Sequence, residues 1–180
     1  MINKLKRLIK HLWLDTSDTR RAIPPDMLQR LTQRVAASER RHGGQIRICV
    51  EASLPISYLW RLDRQTPIRT LTRQRAVTMF GKLRVWDTEQ NNGVLIYVLL
   101  AEHAIEIVAD RSLMRHVSAL QWQAMVARIA SAFRDKRYED GLTQAIGETS
   151  AVLMAHFAVE ATPDDQQVQP NELPDTPLLQ

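Results

Sequence analysis

The sequence predicts an α/β fold, a small mixed sheet of three to four strands covered by helices on both sides. Two observations carry this reading. Apolar runs of strand length stand at 45–51, 93–100 and 104–109, and segments with helical spacing of apolar residues lie before, between and after them. The run Val94-Leu-Ile-Tyr-Val-Leu-Leu-Ala101 is almost wholly apolar, as expected of a strand buried on both faces. The 180 residues suffice for one domain with a sizeable core.

Residues 3–14 read as a basic amphipathic helix, with Leu5, Leu8, Ile9, Leu12 and Trp13 on one face and Lys4, Arg7, Lys10 and His11 elsewhere. Asp15 to Ala22 reads as a polar linker, so residues 1–22 form a helix and linker ahead of a domain at 23–157. Pro24-Pro25 opens the next helix, which carries Leu28, Leu31 and Val35; His42-Gly43-Gly44 ends it, glycine taking the left-handed conformation at low cost. Thr66-Pro67 is a helix start with Thr66 as N-cap, followed by Leu71, Met79, Phe80 and Leu83 as core positions. The turn-rich loop Arg84–Gly93 precedes two strands that form a hairpin around Ala101-Glu-His103. Ser118-Ala-Leu-Gln121 is a capping-box start, with Trp122, Met125, Ile129 and Phe133 on one stripe behind it. After a break at 135–139, the last helix places Leu142, Ile146, Val152 and Leu153 on its apolar side. Residues 158–180, acidic and carrying four prolines, lack periodicity and read as a disordered tail.

Composition narrows the function classes. Cys49 is the only cysteine, so no intramolecular disulfide forms, and its place in an apolar strand marks it as a core residue. The longest apolar run has eight residues; a membrane-spanning helix needs about 20. From Ala158 onward there are five acidic residues and no Lys or Arg, which leaves the first 157 residues at +9 out of a total of +4. A basic head and an acidic tail either attract each other or meet separate partners. The arginines are spread over several elements without a nucleic-acid-binding motif, which argues against nucleic acid as a partner. The histidines at 11, 42, 103, 116 and 156 match no metal spacing and read as surface or cap residues.

The hairpin supplies a candidate site. Antiparallel strands return the chain to its starting point, so Asp110 lies near Asn91-Asn92-Gly93, and Asp87 and Glu89 enter the same edge from the loop. A set of carboxylate and amide oxygens suits Ca²⁺ or Mg²⁺. The competing reading makes Asn-Asn-Gly a turn and Asp87 and Asp110 caps of neighbouring backbone. Trp86 either walls such a site or anchors its loop.

The run Val85-Trp-Asp-Thr-Glu-Gln-Asn-Asn-Gly-Val-Leu-Ile-Tyr-Val-Leu-Leu100 resembles the hallmark of the TPM-domain family, an acidic loop, an Asn-Asn-Gly turn and a long apolar strand. Ile105-Glu-Ile-Val-Ala-Asp-Arg111 is similar to that family's next strand, and Phe133–Leu142 to its Phe-x-x-Gly-x-Tyr/Phe-x-x-Gly stretch, with Lys136 in place of a glycine. The resemblance covers about residues 28–157. It implies a three-layer, Rossmann-like α/β/α sandwich. Some members are described as acid phosphatases, some as divalent-cation binders, others as accessory factors in membrane-protein maintenance. Carried over, the acidic-loop and turn positions are Asp87, Asn91 and Asn92, whereas many relatives have glycine where Asp110 stands. Many relatives also carry a signal peptide and a transmembrane tail; neither is evident here, which suggests a cytoplasmic branch.

Three expectations follow. The first is an accessory domain that binds a divalent cation, through Asp87, Glu89, Asn91, Asn92 and Asp110, or an unknown protein partner. The second is a metal-assisted phosphatase, with Arg84 or Arg111 clamping the phosphate oxygens. The third is a peripheral adaptor on an anionic membrane surface through Lys4, Arg7, Lys10 and Trp13. For that first helix, docking of its Leu/Ile/Trp face on the domain is the default reading.

Overall fold

The three apolar runs become the spine of one sheet because each is satisfied only by neighbours on both faces and at its edges. A computed structural model describes residues 2–63, 65–158 and 171–180. The order is α1 (Ile2–Trp13), α2 (Thr16–Ala22), α3 (Pro25–Glu39), β1 (Gln45–Glu51), α4 (Ile56–Leu59), α5 (Ile68–Lys82), β2 (Gly93–Leu99), β3 (Ala104–Ala109), α6 (Arg111–His116), α7 (Ala119–Arg134), α8 (Tyr138–Phe157) and β4 (Leu178–Leu179). The strands lie in the order β3-β2-β1-β4, with β1 parallel to β2 and β4, and β2 antiparallel to β3.

Strand alternation divides the core into two layers. Ile46, Ile48, Val50, Val94, Ile96, Val98, Ile105 and Ile107 pack with α3, α7 and α8. Cys49, Leu95, Tyr97, Leu99 and Val108 pack with α4 and α5 on the other face. The result is a three-layer α/β/α sandwich. Burial pushes the Cys49 thiol up to about 12, so it stays an inert core residue.

Several expectations need correction. Residues 15–22 are not a linker: Asp15 and Asp18 form a reciprocal capping box that starts α2. Pro67, not Thr66, is the N-cap of α5, and no side chain caps that end. No described glycine has positive φ; Gly44 instead gives room to the Leu153 side chain, whose methyls a Cβ there would meet. His11 and His42 are buried rather than surface residues.

The fourth strand comes from the tail. Leu178 and Leu179 pair with Cys49 and Val50, Gln180 N donates to Val50 O (2.9 Å), and Ala52 N donates to Gln180 O (2.8 Å). Arg47 donates to the carbonyls of Pro174 and Thr176, both at 2.6 Å, and Leu173 is buried. Residues 178–180 therefore close an edge of the sheet, with 171–177 packed beside it rather than forming a disordered tail, because β1 would otherwise leave backbone groups unpaired there. Of the described tail acids, Glu172 accepts from Glu89 N and Asp175 from the Asn171 side chain, both at 2.8 Å, rather than from the basic N-terminus. Glu160, Asp164 and Asp165 lie outside the described residues.

Candidate functional site

The rim of the sheet assembles only part of the expected oxygen cluster. Asp110 follows β3 and is the N-cap of α6, its carboxylate accepting from Arg111 N at 2.6 Å. Asn91 sits in the left-handed region (φ 51°), and its amide oxygen accepts from the Arg111 guanidinium at 2.5 Å. Asp87 is half exposed and paired with Arg84 at 2.7 Å. Glu89 is exposed. Asn92 is fully buried and donates to Gly43 O (2.9 Å) and to the Gln90 side chain (3.3 Å).

Alternation also separates the two most buried members. Asn92 continues the Val94 and Ile96 side of β2, toward α8, while Asp110 continues the Val108 side of β3, toward α5. Each retains one buried oxygen without a hydrogen-bond partner, Asn92 Oδ1 and Asp110 Oδ2. Burial raises the Asp110 carboxyl above its ordinary value, against the pull of the Arg111 amide and guanidinium. The donor chemistry fits a hard cation, but Asn92 and Asp110 belong to opposite faces of the sheet, and among the described residues no group of three His, Cys, Asp or Glu could hold an ion. Arg84 and Arg111 are engaged by Asp87 and Asn91, which takes both away from a phosphate clamp.

The loop itself is stitched to the body. Asn91 N donates to Thr88 O (3.0 Å), Asn92 N to Thr88 Oγ1 (3.1 Å) and Ser112 Oγ to Gln90 O (2.9 Å). The turn-and-cap reading thus accounts for most of its polar groups.

The first helix presents a different arrangement from the default. It docks through Arg7, Leu8 and His11: Arg7 Nε meets Glu102 at 2.9 Å, and Leu8 packs on the α5-side core. Leu54 N–H donates to His11 Nδ1 (3.0 Å), which leaves the ring hydrogen on Nε2 to meet Glu102 Oε1 at 3.1 Å. The remaining apolar residues face outward, Leu5 at 59% exposed, Ile9 at 47%, Leu12 at 57% and Trp13 at 83%. On a helical wheel these four span about 100° on the side opposite His11, with Lys6 and Lys10 beside them. Arg7, expected among the membrane-contact residues, is instead an internal anchor.

Two polar constellations were missed from sequence. Glu51, 4% exposed, accepts from Arg75 Nε (2.8 Å), Arg75 Nη2 (2.5 Å) and Tyr97 OH (2.6 Å) beneath α5. That pairing holds the Arg75 guanidinium above its ordinary pKa, and burial with the Glu51 charge raises the Tyr97 phenol well above its own. Two charged residues, Arg47 and Glu51, in an otherwise apolar strand were the available signal. The second is a groove of about 550 Å³ beside β3, lined by α5, α6 and α7. No sequence period announces it, because its walls come from distant segments.

Together the layers, sheet order and oxygen-rich rim define an α/β/α sandwich with an open sheet, β3 at one edge and β4 at the other. The family described as TPM domain matches residues 16–152, and the chain belongs to it. Among solved structures, the chain is similar in fold to the BA42 protein of the psychrophilic bacterium Bizionia argentinensis, solved by NMR. The TM-score is 0.65 at 23% identity, covering 83% of this chain and 90% of that one. Comparison with curated proteins finds no match. No described helix is long and apolar enough to cross a membrane.

Proposed function

We propose that this TPM-domain chain is an accessory module that rests on anionic membrane surfaces through α1. The observation that carries the reading is the outward stripe of Leu5, Ile9, Leu12 and Trp13 beside Lys6 and Lys10, on a helix held by its opposite edge. A contiguous apolar face flanked by lysines matches the interface between acyl chains and acidic headgroups. The anchoring bonds of Arg7 and His11 to Glu102 leave that stripe free to insert without unfolding the domain.

Co-sedimentation with vesicles tests this. The full chain should partition onto phosphatidylcholine vesicles containing phosphatidylglycerol, and less so as salt rises. The double substitution Leu12→Glu, Trp13→Glu should reduce partitioning by about tenfold or more, since it sets two charges in the insertion face. Equal partitioning of the two proteins would sink the reading.

A divalent cation at the rim is a second reading, favoured by the buried, unpartnered Asp110 Oδ2. Titration with Ca²⁺ or Mg²⁺ followed by backbone NMR should give saturable shifts at 86–93 and 110. Spectra unchanged at about 10 mM metal, roughly tenfold above the weak end of protein calcium sites, exclude it.

A further inference from the structure

We propose that the groove beside β3 binds an extended, carboxylate-bearing peptide segment as an added strand of the sheet. β3 is the outer strand on its side. In the antiparallel register, Asp110 N bonds Gly93 O, so residues 104, 106, 108 and 110 exchange bonds with β2. The backbone groups of Ile107 and Ala109 therefore point away from β2, into the groove. Among the described residues nothing bonds their N–H groups.

Three features say what fills the space. The walls, α5 on one face and α7 on the other, reach past the edge strand, so the gap between them continues the plane of the sheet. A strand is the element that fits such a gap. Arg73 already acts in part as that partner, its guanidinium donating to Ile107 O at 2.5 Å.

The second feature is Trp122 on the α7 wall. It is 8% exposed, and its indole N–H has no hydrogen-bond partner. A buried indole donor is normally satisfied; the Trp122 side chain lines the groove while its N–H is closed off from solvent, so a bound peptide carbonyl or carboxylate would reach it through a small shift of the ring.

Charge supplies the third. Arg69 and Arg73 line the α5 wall, Arg73 paired with the one carboxylate of the lining, Glu106, at 3.4 Å, which leaves a net positive charge centred on Arg69, while Met114, Val117 and Val126 provide apolar contact. That balance selects a segment with a carboxylate toward α5 and apolar side chains toward α7. It disfavours a second copy, since antiparallel pairing of two β3 edges would bring two sets of arginines together.

A random heptapeptide display library, selected on the full-length protein, tests the proposal. Recovered peptides should carry an acidic residue within an extended apolar pattern. Synthesised singly, they should saturably shift the Trp122 indole N–H and the Ile107 and Ala109 amides. N-methylation at alternate peptide residues should weaken binding at least about tenfold in one register and little in the other, because one edge of a strand makes the bonds.

Ala109→Pro removes an N–H that β2 does not use and should lower affinity at least about tenfold with the fold retained, as proline is tolerated at open edges. Trp122→Phe, which removes the donor and keeps a smaller aromatic ring, gives an independent loss of affinity. Selection yielding no peptide that saturates below about 1 mM would overturn the proposal. So would shifts confined to other surfaces, or a concentration-dependent dimer abolished by Ala109→Pro.

Discussion

At the residue scale, Asn91-Asn92-Gly93 divides its labour in an unexpected way. The left-handed conformation falls on Asn91, φ 51°, and not on the glycine. Asparagine adopts it at modest cost and uses its amide oxygen to hold Arg111. Asn92 is the buried clamp, tying the loop to Gly43 O. Gly93 is required by proximity, since a Cβ there would run into the carbonyl oxygen of Val85. Gly93→Ala should therefore cost about 2–3 kcal/mol by overpacking against backbone that cannot retreat, visible as a melting temperature lower by roughly 6–10 °C. Asn91→Gly, at the position with positive φ, should stay within about 1 kcal/mol of the parent. Equal effects at the two positions would show that the constraint is conformational after all. The same distinction applies at Lys136, where φ is 58° and the family pattern has glycine; here a lysine bears the left-handed conformation.

At the scale of elements, the chain was legible where local pattern and final environment agree. β1, β2 and β3 are apolar runs that end up buried on both faces or paired in a hairpin, so period and length alone placed them. The Ser118–Gln121 capping box started α7 as read, and the stripe of Trp122, Met125, Ile129 and Phe133 is buried. Elements set by distant partners were not legible. β4 has two residues and exists because β1 has an edge to close, a contact some 130 positions away in sequence. α2 is polar along most of its length and is held by its capping box and by Thr19 and Ile23. The apolar face of α1 was correctly located, yet the helix docks by the other edge, because the buried His11 satisfies both Leu54 N–H and Glu102. Of the rim residues, neighbourhood was legible from the hairpin. The direction of each side chain was not, because it depends on strand parity and on the arginines that occupy Asp87 and Asn91.

At the scale of the whole molecule, a buried histidine and a half-buried glutamate where α3 meets the sheet set a pH window for stability. His42 lies fully buried between Ser38 Oγ (2.9 Å) and Gly44 O (3.1 Å), and burial lowers its pKa from 6.5 to about 4. Its lowered value means the folded state prefers the neutral ring. The stability from His42 is present above pH 6.5 and is lost as pH falls through about 4. Glu39 accepts from Ile46 N at 2.6 Å, and burial, aided by the Asp175 carboxylate of the returning tail, raises it from 4.5 to about 8. Its raised value means the folded state prefers the protonated acid. That stability is full below pH 4.5 and is lost as pH rises through about 8. Between 4.5 and 6.5 the two slopes oppose each other, so thermal melts should give a plateau there and decline on both sides. Glu39→Gln keeps an acceptor for Ile46 N–H without the ionisation, so it should flatten the alkaline limb and leave the acid limb unchanged. The expected gain at pH 8.5 is about 3 °C or more in melting temperature. If parent and variant decline together above pH 6.5, Glu39 is not the group that loosens the junction between α3, β1 and the tail.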